Sequence, residues 1–300
     1  MSVFGGTRRG IDTDYDKDSD TSYSIWVNLC ASVVPALCWV LGAEALRSDP
    51  MSPAPTAWTD DSLADPHAVQ DKAQRVRQMF AAIAPSYDLN NRLHSLGRDQ
   101  SWRRAAVRAA DLRPGDEVLD VACGTGDLAL AFARAGAGRI VGMDFTSDML
   151  SVARRKRTRA LTAVPGYVCG DALRLPVADA CADVVSIAFG IRNVSDVSAA
   201  LREFHRVLRP GGRVVVLEFS MPTRRPLRGL YQFYFQRVMP CTASLIARDR
   251  SGAYRYLPRS VDTFLDSRQM AEHLAAAGFQ STTMRPLTFG IAVIHSAIKP

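Results

Sequence analysis

The sequence contains six cysteines and five histidines, and neither set shows the spacing of a structural metal site. No two cysteines form a Cys-x-x-Cys pair and the histidines are scattered, so neither a zinc ribbon nor a disulfide framework is indicated. There is also no internal repeat and no long low-complexity run. A chain of 300 residues can bury a core that needs no cross-links, so we expect reduced thiols and no bound metal.

Residues 1–50 are poor in basic charge, although the whole chain carries a net charge of +7. They contain four Lys or Arg and seven Asp or Glu, so the basic excess belongs to residues 51–300. Such an excess makes nucleic acid or an anionic membrane surface a candidate partner. The aromatic side chains cluster in one segment instead of alternating with the basic patches as stacking platforms do. We therefore expect no nucleic-acid partner.

A run of 19 residues, 25–43, lacks charge and is long enough to span a bilayer. It follows the acidic, polar segment 1–24, whose composition predicts disorder and does not suit a secretory signal peptide. Two interpretations stay open: the run anchors the protein in a membrane, or it belongs to an extension that a product starting at Met51 would lack. The second interpretation is favoured. Residues 51–66 are rich in Pro, Ala, Ser and Asp, which predicts a linker.

Residues 67–300 form the predicted folded domain, after an N-terminal extension and linker at 1–66. Short apolar runs alternate with helical patterns, which predicts an α/β fold with a mostly parallel seven-stranded sheet and helices on both faces. Helices are expected before the first strand, and a segment at about 221–260, dense in aromatic side chains, interrupts the alternation. Ligands bind at the carboxyl ends of such strands. The predicted strands are 118–122, 139–144, 166–169, 182–188, 213–219, 281–287 and 290–298.

The segment Val118–Asp127 (VLDVACGTGD) combines an apolar strand, a glycine turn and the start of a helix. Its turn, Gly124, Thr125 and Gly126, aims free backbone N–H groups and a helix N-terminus at one point. The second strand ends about twenty residues later at Asp144, where an acid accepts hydrogen bonds from ribose hydroxyls. This pattern alone fits an NAD-binding and an adenosyl-binding fold equally well.

Further motifs distinguish these two folds. Gly170–Ala172 (GDA) and Leu208–Gly212 (LRPGG) resemble motifs of the class I S-adenosylmethionine-dependent methyltransferases, which have a Rossmann-like fold. Phe189–Asn193 (FGIRN) and Tyr254–Leu257 (YRYL) resemble, more specifically, the menaquinone/ubiquinone C-methyltransferase family. The resemblance runs from about residue 75 to 299 without large gaps. A nicotinamide-dependent oxidoreductase would not be expected to carry these motifs.

The resemblance implies that the methyl donor is S-adenosyl-L-methionine and that the acceptor is a ring carbon of a prenylated hydroquinone. The expected substrate is demethylmenaquinol, in menaquinone biosynthesis; the alternative is the corresponding ubiquinone-pathway substrate, or both. We expect a cytoplasmic enzyme that contacts the inner face of the membrane peripherally. The aromatic segment Leu227–Met239 is either a cap packed on the sheet or a lid that receives the prenyl tail.

The resemblance also implies roles for individual residues around the cofactor. The glycine turn would hold its methionine part, Asp144 its ribose, and the Gly-Asp-Ala motif its adenine. Ala188 stands where relatives often carry Ser, so that a backbone contact would survive there and a hydroxyl contact would not. The expected cofactor-binding residues are Gly124, Thr125, Gly126, Asp144, Asp171, Ala172 and Ala188.

The expected catalytic residues are Arg192 and Asn193, after the fourth strand. A hydroquinone carbon becomes nucleophilic when the neighbouring hydroxyl ionises, and ionising a phenol of pKa about 10 at pH 7 costs about 4 kcal/mol. A fixed cation such as Arg192 would lower that cost, and Asn193 would orient the second hydroxyl. The proton acceptor stays open between His295, Asp88 and a water molecule.

Overall fold

The computed structural model describes residues 58–156, 161, 163–222, 225–247 and 251–300. The segment predicted to be disordered, 1–24, and the charge-free run, 25–43, lie outside these residues. In the described part of the chain the strands are β1 (Glu117–Val121), β2 (Arg139–Asp144), β3 (Gly166–Cys169), β4 (Ala182–Ala188), β5 (Leu208–Phe219), β6 (Gln280–Leu287) and β7 (Ala292–Ile298). The α-helices there are α1 (Asp60–Ala64), α2 (Lys72–Ile83), α3 (Tyr87–His94), α4 (Arg98–Ala109), α5 (Asp127–Arg134), α6 (Ser147–Arg155), α7 (Val197–Val207), α8 (Arg225–Phe233), α9 (Met239–Ala247), α10 (Ala253–Asp262) and α11 (Ser267–Ala276).

The seven strands form one sheet in the order β3-β2-β1-β4-β5-β7-β6. Strands β1 to β5 pair in parallel, whereas β7 is antiparallel to both of its neighbours, β5 and β6. The prediction of an α/β fold with a mostly parallel, seven-stranded sheet is therefore confirmed. The strand order reverses between β1 and β4, and the carboxyl ends of strands at such a point open a crevice.

Helices cover the central strands on both faces. Residues Val214–Leu217 of β5 are all buried, which requires cover above and below the strand. Helices α4 and α7 each pack against β5, α5 packs against β1 and β2, and α11 packs against β6 and β7. The main apolar core joins Trp102 and Phe132, from α4 and α5, to strand residues such as Val118 and Ile294. This core holds the crevice edge of the sheet rigid.

A second apolar cluster joins the N-terminal helices to the segment at 221–260. The described part of this segment is helical, as α8, a π-helical turn Tyr234–Val238, α9 and the start of α10. Its side chains Phe235 and Met239 pack with Met79 of α2. The residues expected as a linker also join in: Trp58 is buried, with its ring centroid 4.4 Å from that of Tyr256. An aromatic anchor thus ties this stretch to α10.

Local signals set two helix boundaries. Helix α2 ends at Ile83, and Pro85 lies in the 3-10 turn Ala84–Ser86 that leads directly into α3. A proline is tolerated in a first helical turn because its missing N–H would have no partner there. Helix α10 ends at Asp262, and Asp266 forms a capping box with Gln269 that starts α11.

Among the residues that the structure describes, no helix has the length and apolar character needed to cross a bilayer.

Candidate active site

Two cavities lie side by side at the carboxyl edge of the sheet. The smaller one, about 110 Å³, is lined by residues at the ends of β1, β2 and β4. The larger one, about 440 Å³, lies between α2–α4, the ends of β4 and β5, and the helices after β5. Three aromatic side chains line both cavities: Phe80, Tyr87 and Phe189. A group bound in one cavity would therefore meet a group bound in the other at this aromatic junction.

The smaller cavity collects most of the expected cofactor-binding residues. Thr125 and Gly126 are not in its described lining: the Thr125 hydroxyl donates to Asp88 at 2.6 Å, and Gly126 is the N-cap of α5 with φ 79°. Thr125 and Gly126 lie on the side of the turn that faces away from the cavity, and Gly124 is the residue of the turn that lines it. The expected residues in the lining are Gly124, Asp144, Asp171, Ala172, Ala188 and Asn193.

Asp144, at the end of β2, binds the glycine turn from inside the smaller cavity. One carboxylate oxygen accepts the N–H of Gly124 at 2.7 Å, and the other accepts the N–H of Thr146 at 2.8 Å. Burial raises the pKa of Asp144, and these two hydrogen bonds oppose the rise only in part. Each oxygen has a second lone pair, so the carboxylate can still accept two hydroxyl donors.

Asp171 and Ala172 form the rim of the smaller cavity, just after β3. The Asp171 carboxylate accepts the N–H of Leu173 at 2.9 Å, which fixes a tight turn and leaves the acid exposed. On the opposite side, Ala188 presents a methyl group and no hydroxyl, as the sequence implies. Only backbone groups can make a polar contact at that position.

The loops after β1 and β4 press against each other at the junction. Ala122 and Phe189 both adopt left-handed backbone conformations, with φ of 50° and 57°. A Cβ on Gly190 would lie 2.6 Å from the Cβ of Ala122, so the second loop needs a glycine there. Strain of this kind costs about 1–3 kcal/mol per residue and is typical of functional sites. The left-handed backbone at Phe189 places its ring between the two cavities, where it lines both.

The larger cavity is mostly aromatic, but several polar side chains face it. Asn90, Asp99 and Arg103 are all buried and come from α3 and α4. The sequence predicted a helix close to α4 but not α3, and nothing in it indicated that these helices line a site; the available signal was the i, i+4 spacing of Asp99 and Arg103 on one face. The aromatic lining comprises Phe80, Tyr87, Trp102, Phe189, Phe219, Tyr231, Tyr234, Phe235, Tyr254 and Tyr256.

Arg192 lines the larger cavity and is held in a buried ion pair. Its Nη1 donates to Glu218 Oε1 at 2.6 Å and to the carbonyl of Phe189 at 2.8 Å. Its guanidinium lies over the Phe219 ring, with Cζ 5.3 Å from the centroid. The Glu218 carboxylate therefore neutralises much of the positive charge of Arg192.

Hydrogen bonds hold the 3-10 turn Ile191–Asn193 from two sides. Asn193 Oδ1 accepts the hydroxyl of Tyr256 at 2.9 Å, and its Nδ2 donates to the carbonyl of Phe189 at 3.3 Å. The buried Lys72 donates to the carbonyls of Arg192 and Val194 at 2.9 and 2.7 Å. Burial, and then the charge of Arg192, lower the pKa of Lys72 to about 8. Lys72 has no feature in the sequence that singles it out.

Comparisons with known proteins agree with this geometry. Residues 68–299 match the ubiE/COQ5 methyltransferase family. The chain belongs to this family. A demethylmenaquinone methyltransferase of Thermus thermophilus is 48% identical over 224 residues, which are 74% of this chain and 100% of that protein. A ubiquinone/menaquinone biosynthesis C-methyltransferase of Geobacter sulfurreducens is 44% identical over 238 residues, which are 78% of this chain and 91% of that protein.

A solved structure supports the fold separately. The SAM-dependent methyltransferase of Thermotoga maritima has a TM-score of 0.52 and 18% identity, and the match covers 75% of this chain and 100% of that chain. The family predicted from the FGIRN and YRYL motifs is thus confirmed, together with a Rossmann-like methyltransferase fold. Membership of a methyltransferase family also supports the expected methyl donor, S-adenosylmethionine.

The two side chains weighed as proton acceptors in this ubiE/COQ5 methyltransferase face neither cavity in the described structure. His295 is buried in β7 opposite Val216, and burial lowers the pKa of its imidazole. Asp88 accepts hydrogen bonds from Thr125 and from Lys156, whose Nζ lies 2.8 Å from the carboxylate.

A charged cluster lies behind the glycine turn of this methyltransferase. Lys156 Nζ donates to Asp127 at 2.5 Å and to Thr125 at 3.0 Å, in addition to its contact with Asp88. Burial opposes ionisation of Asp127, but the charge of Lys156 prevails and holds the pKa of that carboxyl below its usual range. The cluster connects α3, the glycine turn and the end of α6, and so fixes the wall of the smaller cavity.

Proposed function

We propose that this protein transfers a methyl group from S-adenosyl-L-methionine to a ring carbon of demethylmenaquinol, giving menaquinol. The observation that carries the proposal is a pair of adjoining cavities that share three aromatic side chains. Carboxylates lie at the edge of one cavity, and the other is mostly apolar. Ubiquinone-pathway C-methylation is the second candidate, because the name of the Geobacter sulfurreducens relative includes both quinones.

The smaller cavity suits the methyl donor. Gly124 has open space where a Cβ would stand, so a ligand can approach the backbone there. Asp144 can accept both ribose hydroxyls, and Asp171 and Ala172 offer an edge for the adenine. When bound, the donor supplies a methyl group on a positively charged sulfur, which an electron-rich carbon attacks. Asp144 also holds the glycine turn, so it orients the cofactor and the loop together.

The larger cavity suits a prenylated naphthohydroquinone ring and the first part of its tail. It is about 440 Å³ in volume and mostly aromatic, which favours an extended apolar ligand. Tyr231 and Phe235 from the segment after β5 form a stacked pair in its wall, with centroids 5.1 Å apart. This supports the interpretation of the aromatic segment as a lid over the tail.

The surface around the larger cavity suits contact with an anionic membrane. Large apolar side chains are exposed on α3 and α8, among them Leu93, Leu230 and Phe233, and Leu96 in the cavity lining is 87% exposed. Exposed arginines lie on the same elements, Arg92 on α3 and the neighbouring Arg98, Arg228 and Arg237. An apolar patch with basic side chains binds anionic bilayers. We place the protein at the cytoplasmic face of the membrane, where a lipid-soluble quinol could enter the cavity directly.

Arg192 and Asn193 are proposed to act on the ring. Arg192 lies beside Phe219 and Phe189 at the junction, where its charge would stabilise the ionised hydroxyl. Asn193 lines the smaller cavity from the same turn, so it would hold the ring or the donor at the point of transfer.

The function is tested with the purified full-length protein and methyl-labelled S-adenosylmethionine. Reduced demethylmenaquinol and the ubiquinone-pathway acceptor are supplied separately, and products are identified by mass. We expect one labelled methyl on the demethylmenaquinol ring. Labelling of the ubiquinone-pathway acceptor alone would select the second candidate, and labelling of neither would contradict both.

A further inference from the structure

Arg103 of α4 is a buried cation in the wall of the larger cavity with few partners. Its Nε and Nη1 have no hydrogen-bond partner among the residues that the structure describes. The nearest acid is Asp99, one helical turn earlier, with an N–O distance of 3.9 Å, which is too long for a hydrogen bond. Burying a guanidinium without hydrogen-bond partners costs free energy, unless a ligand supplies the missing acceptors. The side chain therefore has the capacity to bind an anionic oxygen.

Two of the arginines that line the larger cavity, Arg103 and Arg192, differ in how far their charges are compensated. Arg192 makes a 2.6 Å hydrogen bond to Glu218, so its charge is largely neutralised within the protein. Asp99 already accepts hydrogen bonds from Ser95 and Gln100 and faces Arg103 only at a distance. Asp120 and Asp127 also interact with the charge of Arg103, but neither makes a described hydrogen bond to it. The charge of Arg103 is thus the more available one for a ligand.

The position of Arg103 matches the junction of the two cavities. Its Cζ lies 5.3 Å from the centroid of Phe189, whose ring lines both cavities. Tyr87, a phenol, also lines both cavities. Burial raises the pKa of Tyr87, and the charge of Arg103 is the strongest opposing influence, ahead of Arg192.

We propose that Arg103 is a catalytic residue that binds the ionised hydroxyl of the hydroquinone, and that Asn90 binds the second hydroxyl. Asn90 is buried in the same wall, with Oδ1 lacking a partner in the described residues and free to accept an O–H donor. This proposal rests on the proposed function.

The chemical step balances with water as the only other participant. The hydroquinone O–H bond breaks and its proton passes to water, while Arg103 holds the resulting phenolate. The adjacent ring carbon forms a bond to the methyl group as the carbon–sulfur bond breaks, with the electron pair left on sulfur. The ring carbon then loses its hydrogen as a proton and the oxygen regains one, so each turnover releases one proton.

Turnover as a function of pH tests the role of Arg103. We expect Arg103→Gln to lower kcat at pH 7 by about a hundredfold or more, on the scale of losing one preorganised charge-stabilising group. The loss should shrink at higher pH, where more phenolate forms unaided, and Arg103→Lys should retain part of the activity. The neighbouring Arg104, which is exposed on the same helix, provides the control: Arg104→Gln should behave as wild type. Near-normal turnover of Arg103→Gln, or an equal loss at every pH, would overturn the proposal.

A binding measurement separates this proposal from the proposed function. 1-Naphthol changes its absorbance on ionisation and can be titrated with each protein in the presence of S-adenosylhomocysteine. Wild type and Arg104→Gln should lower the apparent pKa of bound naphthol by about one unit or more, and Arg103→Gln should restore the free value. If wild type leaves the pKa of naphthol unchanged, Arg103 does not act on phenols, even if methyl transfer is observed. If the Gln variant does not fold, Arg103→Met takes its place in the titration, since it keeps the apolar stem.

Discussion

At the scale of single residues, Asp144 connects the cofactor to the glycine turn. Its carboxylate accepts two backbone N–H groups and has lone pairs left for two hydroxyls. Hydrogen bonds to a charged group contribute about 1.5–3 kcal/mol each. We predict that Asp144→Ala weakens binding of S-adenosylmethionine by at least about tenfold while the protein stays folded. Calorimetry measures the affinity, with Asp61→Ala, an exposed acid of α1, as the control. Equal affinities for the two variants would remove Asp144 from the site.

Arg192 has a structural and a proposed chemical role, and the two can be separated. Removing one partner of a buried ion pair costs about 3–5 kcal/mol, so Arg192→Gln should lower the melting temperature because Glu218 is left unpaired. We predict that the double variant Arg192→Gln/Glu218→Gln regains much of this stability and remains at least about tenfold slower than wild type. Thermal melts and turnover are measured on the same samples. Recovery of both properties would reduce Arg192 to a structural residue.

At the scale of elements, β1 and β4 share a buried acid that makes stability depend on pH. Asp120 of β1 accepts the hydroxyl of Ser186, which is its register partner on β4, at 2.8 Å. Burial raises the pKa of Asp120 to about 7, and the hydrogen bond offsets this only in part. Because the folded state prefers the protonated acid, its stabilising contribution is complete below about pH 4, near the pKa of an unfolded Asp, and is lost as pH rises towards 7.

Asp120→Asn should therefore remove this loss. The amide keeps an acceptor for Ser186 and never ionises, so we predict that the variant is more stable than wild type at pH 8, by roughly 1–4 kcal/mol. The difference should vanish near pH 4. Denaturant unfolding over a pH series measures the free energy of unfolding of each protein as a function of pH. Parallel curves for the two proteins would show that Asp120 is ionised in the folded state at every pH tested.

The elements also explain what the sequence could and could not predict. The strands and the Gly124–Gly126 turn are local patterns, and β2, β3 and β4 have the predicted ends. The apolar runs of β2 and β3 stop at Asp144 and before Gly170. The larger cavity is not local: α3 and α4 meet a segment more than a hundred residues later along the chain. The Arg192–Glu218 pair likewise requires two neighbouring strands to be in register. Neither feature has a periodicity or a spacing that a sequence alone displays.

At the scale of the whole molecule, the apolar surface around the larger cavity predicts membrane binding. Leu230 and Phe233 on α8 are each more than 60% exposed. We predict that Leu230→Ser/Phe233→Ser reduces co-flotation with vesicles of anionic phospholipid by at least about fivefold. The reason is that burying these two apolar side chains in the bilayer contributes a few kcal/mol to binding. Met284→Ser, an exposed apolar position on the edge strand β6, is the control and should float as wild type does. Unchanged flotation of the double variant would place the membrane contact elsewhere.

The central claim is that donor and acceptor meet at the junction formed by Phe80, Tyr87 and Phe189. The most direct measurement is a crystal structure of the wild-type protein with S-adenosylhomocysteine and a short-tailed demethylmenaquinone. We predict that the ribose hydroxyls bind Asp144, that the quinone ring lies against Phe189, and that the sulfur faces an unsubstituted ring carbon. A ring bound outside the larger cavity, or a sulfur turned away from it, would contradict the account.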